Sequence, residues 1–93
     1  MTLAARVTAE IDALLLDALV THTPIPGDGV DDLVAYLAAL HPMAPVVLIE
    51  SVLPGILEAH IRRARAAGDV YLEETELVLA DLRRRQAASN PRE

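Results

Sequence analysis

Apolar residues recur every three or four positions near the start of the chain, which is the spacing of an amphipathic helix. Arg6 and Glu10 fall on the opposite side of this helix. The segment 22–29, HTPIPGDG, then contains two prolines and two glycines and predicts the end of the helix. The predicted inward-facing residues of this first helix, which runs from 3 to about 21, are Leu3, Val7, Ile11, Leu14, Leu15 and Ala18.

A second helix is predicted to follow, with Asp28 as its N-terminal cap. Asp31 and Asp32 fall in its first turn, where the helix dipole favours carboxylates. The segment 41–45, HPMAP, is a tight connection, and Pro45 suits the first position of a third helix because that position needs no backbone N–H. The apolar stripe of the second helix comprises Val30, Leu33, Val34, Leu37 and Leu40.

The stretch 46–65 is strongly apolar at its start and contains Pro54 in its middle. It lacks the strict alternation of a strand, and a proline in a central strand would delete a ladder hydrogen bond. The apolar positions stay on one side across Pro54, which predicts a single helix kinked at that residue. Two helices that meet at Leu53 are the alternative. The predicted buried side comprises Ile49, Leu53, Ile56, His60 and Ala64.

Gly68 is predicted to end the third helix, and Asp69 to cap a fourth helix that runs from 70 to about 88. A chain of 93 residues fits one domain, because two smaller units would bury too little apolar surface. We therefore predict a small all-α domain of four helices over residues 1–88 and a disordered C-terminal tail over residues 89–93. The inward side of the fourth helix comprises Tyr71, Leu72, Thr75, Val78, Leu79, Leu82 and Gln86.

The segment 46–53 carries apolar residues on all sides of its predicted helix, interrupted only by Glu50 and Ser51. A helix that is apolar on all sides must be covered on all sides, and each other helix offers about one apolar stripe. We therefore expect a second copy of the chain to cover the remainder, as a two-fold homodimer. A compact monomer that covers the segment itself is the alternative. The predicted interface comprises Val47, Leu48, Val52 and Ile56, with Arg62 and Arg65 as its polar rim.

The composition disfavours nucleic acid and membrane as partners. The formal net charge is −6, and such a field repels phosphates. The longest uncharged run, residues 33–49, is broken by a histidine and two prolines and falls short of a membrane span. Acidic residues inside the first apolar segment argue against a signal peptide, so we expect a cytoplasmic protein. The absence of Lys and Phe is typical of a GC-rich genome, such as that of an actinobacterium or its phage.

Two arginine clusters, at residues 61–65 and 83–85, are the remaining polar signal. Both lie in the last turns of predicted helices, where positive charge complements the carbonyl end of the helix. A docking site for an acidic partner is the functional alternative. A DNA-reading helix would need a polar face, whereas the helix that follows HPMAP opens with four apolar residues.

The polar residues form no recognisable catalytic or metal-binding pattern. Glu58 and His60 are two positions apart, which points them in nearly opposite directions on a helix. There is no cysteine, and neither Ser51 nor Ser89 lies in a nucleophile elbow. We expect a non-enzymatic protein without metal or cofactor, a small regulator, adaptor or inhibitor that binds a helical or coiled-coil partner. The alternatives are a DNA-associated regulator of antitoxin or repressor type, and an apolar-ligand carrier or low-turnover enzyme that uses His60.

Overall fold

The computed structural model of the chain describes residues 2–89. The predicted all-α fold is confirmed, because this part of the chain forms four helices and no strand. The predicted tail, residues 89–93, lies outside the described residues except for Ser89, where the last helix ends. The helices are α1 (Leu3–Val20), α2 (Val30–Leu40), α3 (Val46–Ala67) and α4 (Leu72–Ser89).

Local hydrogen bonds define the ends of α1. Thr2 precedes the helix in an extended conformation, and its Oγ1 accepts a hydrogen bond from the backbone N–H of Ala5 at 3.0 Å. At the other end, the hydroxyl of Thr21 donates to the carbonyl of Asp17 at 2.9 Å. His22 then adopts a positive φ of 60°, which turns the chain away from the helix axis. The proline- and glycine-containing loop that follows leads to α2.

The start of α2 corrects the capping prediction. The residue that precedes the helix is Gly29, whose φ of 148° suits glycine, and no side chain caps the helix there. Asp28 lies one residue further out, and its backbone N–H donates to Oδ2 of Asp32 at 3.3 Å. Asp31 and Asp32 occupy the first turn, as predicted. The carboxylate of Asp32, rather than that of Asp28, therefore ties the loop to the helix start.

α3 is one helix that continues through Pro54, so the two-helix alternative is wrong. Proline has no N–H to donate to the carbonyl of Glu50, four residues earlier. The side-chain amide of Gln86 on α4 donates to this carbonyl instead, at 2.9 Å. The predicted end of α3 is confirmed, because Gly68 adopts the left-handed conformation with φ of 68° and its N–H bonds the last turn.

α3 lies at the centre of the bundle and packs against each of the other three helices. The predicted stripes form most of the core, although Leu3 and Leu40, at the ends of their stripes, are exposed. No helix within residues 2–89 has the length and apolarity needed to cross a bilayer. The buried core cluster comprises Val7, Ile11, Leu15, Ile25, Val30, Leu33, Val34, Leu37, Ala44, Ile49, Leu53, Ile56, Leu57, Ile61, Leu79 and Leu82.

Candidate interaction surfaces

Exposed apolar side chains are concentrated where α2 meets α3. Ten large apolar residues are exposed in the described part of the chain, and five of them fall within residues 36–47. Scattered single residues of this kind are normal, whereas a concentration marks a candidate contact surface. Two of the five are almost fully exposed, Met43 at 84% and Val47 at 75%. We call this set the α2–α3 corner: Tyr36, Leu40, Met43, Val46 and Val47.

The residues predicted to form an interface are distributed between surface and core. Val47 is exposed, as a contact residue must be. Leu48 and Val52 are half-buried and pack against the core of their own chain. Ile56 is only 4% exposed and belongs to that core, so it has almost no surface to offer a partner. The first turn of α3 is therefore the part of the apolar segment that the other helices leave uncovered.

Only Val47 of the α2–α3 corner was among the predicted interface residues; Val46 lies in the apolar segment that suggested the interface, and the other three lie outside that segment. Leu40 continues the apolar stripe of α2 in the sequence. The local pattern does not show that Leu40 is exposed while the earlier residues of the stripe are buried. Tyr36 lies one helical turn before Leu40, on the flank of the same stripe. Met43 lies in the short connection between the helices. An apolar residue in a tight turn was the signal that could have drawn attention to it.

The two arginines of the predicted polar rim also differ in their surroundings. Arg62 is exposed and pairs with no described carboxylate. Arg65 bonds Glu76 on α4, with Nη2 and Oε2 2.6 Å apart. Arg65 therefore connects two helices of its own chain, and of the two predicted rim residues only Arg62 is left without a carboxylate partner among the described residues.

Most of the other arginines also connect helices. Arg63 on α3 makes two hydrogen bonds to Asp12 on α1, at 2.9 and 3.2 Å, and these raise its pKa above the ordinary value. Arg83 on α4 pairs with Glu58 on α3. All three arginines of the 83–85 cluster pair with carboxylates, as Arg63 and Arg65 of the 61–65 cluster do. Few guanidinium groups are therefore available for a phosphate backbone, which weakens the DNA-associated alternative.

A second surface feature is a groove between the loop 25–30 and one face of α4. It has a volume of about 360 Å³. Leu77 stands in it and is 71% exposed. Gly27 helps to seat the loop, because a Cβ there would approach the Asp32 side chain to 2.9 Å. We call this the α4 groove; its apolar lining is Ile25, Val30, Leu77 and Val78, and its carboxylates are Asp28, Glu74 and Asp81.

The α4 groove adjoins a second depression that shares Val30 and reaches Val47 at the start of α3. Arg85 is the one basic residue that lines this second depression. Its guanidinium already bonds Asp31 at 2.6 Å and Asp81 at 3.1 Å, and the bond to Asp31 raises its pKa above the ordinary value. The α4 groove is therefore apolar at its base with carboxylates as its only charged lining residues, whereas the second depression contains one carboxylate, Glu50, and one guanidinium, Arg85.

His60 lies apart from these surfaces. It is 2% exposed, its Nδ1 has no hydrogen-bond partner, and it lines none of the depressions described above. A ligand carried in those depressions would not reach it. Among residues 2–89, no group of three or more histidine, aspartate or glutamate side chains is arranged to hold a metal ion.

Comparison of the chain with protein-family models, curated proteins and solved structures found no significant match. Functional inference therefore depends on the surfaces of this chain. Two of them have the character of contact sites: the α2–α3 corner, which is apolar and exposed, and the α4 groove, which is apolar at its base and acidic at its edge.

Proposed function

We propose that this protein is a non-enzymatic interaction module, a small cytoplasmic regulator, adaptor or inhibitor that binds a helical or coiled-coil partner through an apolar helix surface. The observation that carries the proposal is the concentration of exposed apolar residues at the α2–α3 corner. Burying one such side chain is worth about 1.5–3 kcal/mol, so contact with another protein gains substantially from this surface. Aliphatic and aromatic side chains on helices are suited to a groove or a helix of the partner.

The first partner that we propose is a second copy of the chain, in a two-fold homodimer. In a two-fold contact the same surface is used on both subunits, so an apolar surface matches itself. A charged surface on a chain of net charge −6 would repel its copy, whereas the five residues of the α2–α3 corner carry no charge. We further propose that α3 bends at Pro54, because proline clashes with the preceding turn, and that this bend helps to present its first turn.

Replacing Val47 by Asp tests the self-association. Val47 is 75% exposed and lies in the first turn of α3, where the helix dipole favours a carboxylate, so the folded monomer should tolerate the change. At the interface, the same carboxylate would be buried without a partner, at high cost. We expect the wild-type protein to dimerise at micromolar concentration and the variant to weaken dimerisation by about tenfold or more. Sedimentation velocity over a concentration series measures both.

Val70→Asp is the matched control. Val70 is 81% exposed, lies two residues before α4, and is outside the α2–α3 corner. The control should dimerise like the wild-type protein, since it adds the same charge elsewhere. A wild-type protein that stays at 10.0 kDa over the whole series would refute the dimer. A dimer that Val47→Asp leaves intact would place the contact on another surface.

A further inference from the structure

We infer that the α4 groove is a docking site for a basic amphipathic helix of a partner protein. This inference deepens the proposed role as an interaction module, but it concerns a different surface and specifies the chemistry of the partner. It depends on three observations: the apolar lining of the groove, the charge at its edge, and the kind of backbone that surrounds it.

The base of the α4 groove is apolar and open. Ile25 and Val30 form its buried floor, and Leu77 rises from α4 with 71% of its surface exposed. An exposed leucine beside a depression of about 360 Å³ provides room and contact area for an apolar side chain of a partner. One or two inserted side chains would cover Leu77 and supply the apolar part of the binding free energy.

The edge of the α4 groove is negative. Asp28 and Glu74 pair with no described basic residue, and no basic residue lines this depression. Asp81 contributes a third carboxylate, which Arg84 and Arg85 share. Lysine or arginine side chains that flank the inserted apolar residue would reach these carboxylates. Opposite charges would also speed the encounter of the two molecules.

The surrounding backbone favours a helical occupant. Residues 2–89 form no strand, so an extended peptide would find no sheet edge to pair with. The groove runs along α4 between Glu74 and Asp81, which span about two helical turns, or about 10 Å. A helix lying beside α4 places residues at intervals of three or four positions along this length. The occupant is therefore a helix with one apolar face and basic flanks.

The same charges disfavour the other occupants. A second copy of this chain has a net charge of −6, and most of its described arginines already pair with its own carboxylates. Nucleic acid would bring phosphates against Asp28 and Glu74. A basic protein segment is the partner whose charge matches the groove.

The probe is a fluorescein-labelled synthetic peptide of about 14 residues, long enough as a helix to span the groove. It carries leucines at helical positions i, i+3, i+4 and i+7 and lysines elsewhere. A second peptide of the same composition, with the leucines spread around the helix, controls for charge alone. Fluorescence anisotropy with the full chain should show the amphipathic peptide binding at least about tenfold more tightly than the control.

Leu77→Asp separates docking in the groove from general attraction between charges. The substitution removes the apolar contact but makes the protein more negative. We expect it to weaken binding of the amphipathic peptide by about tenfold or more, whereas attraction by charge alone predicts equal or tighter binding. Leu16→Asp is the matched control, because Leu16 is an exposed leucine on α1, and it should bind the peptide as tightly as the wild-type protein.

The outcomes distinguish this inference from the proposed self-association. The inference that the α4 groove is the docking site is overturned if Leu77→Asp binds the peptide as tightly as the wild-type protein or more tightly. It is also overturned if the protein shows no preference between the two peptides. Should circular dichroism show that Leu77→Asp is unfolded, Glu74→Gln combined with Asp28→Asn serves instead, and unchanged affinity in that variant overturns the groove. Sedimentation of the same samples reports the oligomeric state: a monomer that binds the peptide refutes the dimer and leaves the groove supported.

Discussion

His60 and Thr75 are the two polar side chains that are buried in the described part of the chain, and they are accommodated differently. The hydroxyl of Thr75 donates to a backbone carbonyl one turn earlier, at 3.1 Å. Nδ1 of His60 has no partner. Burial lowers the pKa of His60, and the carboxylate of Asp69 opposes this effect. Arg63 lowers the pKa further and Asp12 raises it, and the net result is a neutral imidazole in the core.

We expect the free energy of unfolding to decrease as the pH falls below about 6.5, the ordinary pKa of histidine. In this range the unfolded chain binds a proton at His60, whereas the folded chain resists protonation, so acid favours unfolding. Above this range the contribution is fully present, since both states hold His60 neutral. Urea unfolding of the wild-type protein at about pH 7.5 and about pH 5.5 measures the effect.

His60→Leu isolates this contribution from those of His22 and His41, which both proteins retain. The variant should gain stability relative to the wild-type protein as the pH falls, because its core holds no group to protonate. A difference in stability that is the same at both pH values would show that His60 does not titrate in this way.

At the level of the helices, α3 depends on α4 at the point where its own hydrogen bonding fails. Pro54 leaves the carbonyl of Glu50 without its usual donor, and a proline inside a helix typically costs about 3 kcal/mol. The amide of Gln86 takes that donor's place at 2.9 Å. Because the replacement comes from another helix, α3 is completed only when α4 is packed against it.

Gln86→Ala should therefore destabilise the protein by about 1–2 kcal/mol, because it leaves the carbonyl of Glu50 without a donor. Pro54→Ala restores a backbone N–H four residues after Glu50, so Gln86→Ala should cost less in that background. Thermal or urea unfolding of both single variants and the double variant measures this coupling. Strictly additive effects would mean that Gln86 does not compensate for the proline.

At the level of the whole molecule, the two proposed contact surfaces differ in charge. The chain has a net charge of −6, and much of its positive charge is engaged in arginine–carboxylate pairs between helices. Two copies of such a chain repel each other at long range, so the proposed dimer would have to be held by contact between the uncharged α2–α3 corners. A basic helix at the α4 groove is attracted at both ranges.

Salt should therefore act on the two contacts in opposite directions. Raising the salt concentration from about 0.05 to about 0.5 M shortens the range of electrostatic interaction to a few ångströms. Dimerisation should strengthen, because repulsion between like-charged copies is screened, and binding of the basic peptide should weaken. Sedimentation and anisotropy titrations at both concentrations test this. Dimerisation that weakens with salt would indicate a contact held by ion pairs instead of the apolar corner.

The helices and their inward faces were predictable because they depend on neighbours in the sequence. The recurrence of Val7, Ile11 and Leu15 requires only the helical repeat. Gly68 ends α3 because its backbone adopts a positive φ, which glycine tolerates. The cap of α2 was predicted wrongly, since Gly29 and not Asp28 directly precedes the helix, and the backbone conformation of the loop decides this.

The candidate surfaces could be predicted only in part. The apolar excess in the first turns of α3 was visible in the sequence, and Val47, one of the predicted contact residues, is exposed. Ile56 is also an aliphatic residue of α3, but it lies in the core. The other helices cover the middle of α3 and leave its first turn exposed. The carboxylates that Arg63, Arg83 and Arg85 reach on other helices, and the carbonyl that Gln86 reaches, lie in separate segments of the sequence, so no local pattern could identify them.

The sequence by itself determined four amphipathic helices, their approximate ends, a negatively charged chain, and an aliphatic-rich composition. These properties follow from composition and from the helical period, which act over a few residues. Only the tertiary structure decided which part of each stripe is covered, which carbonyl Gln86 reaches, and where the loop 25–30 forms a groove with α4. Burial and pairing depend on which helices meet, and that is set by the packing of the whole chain.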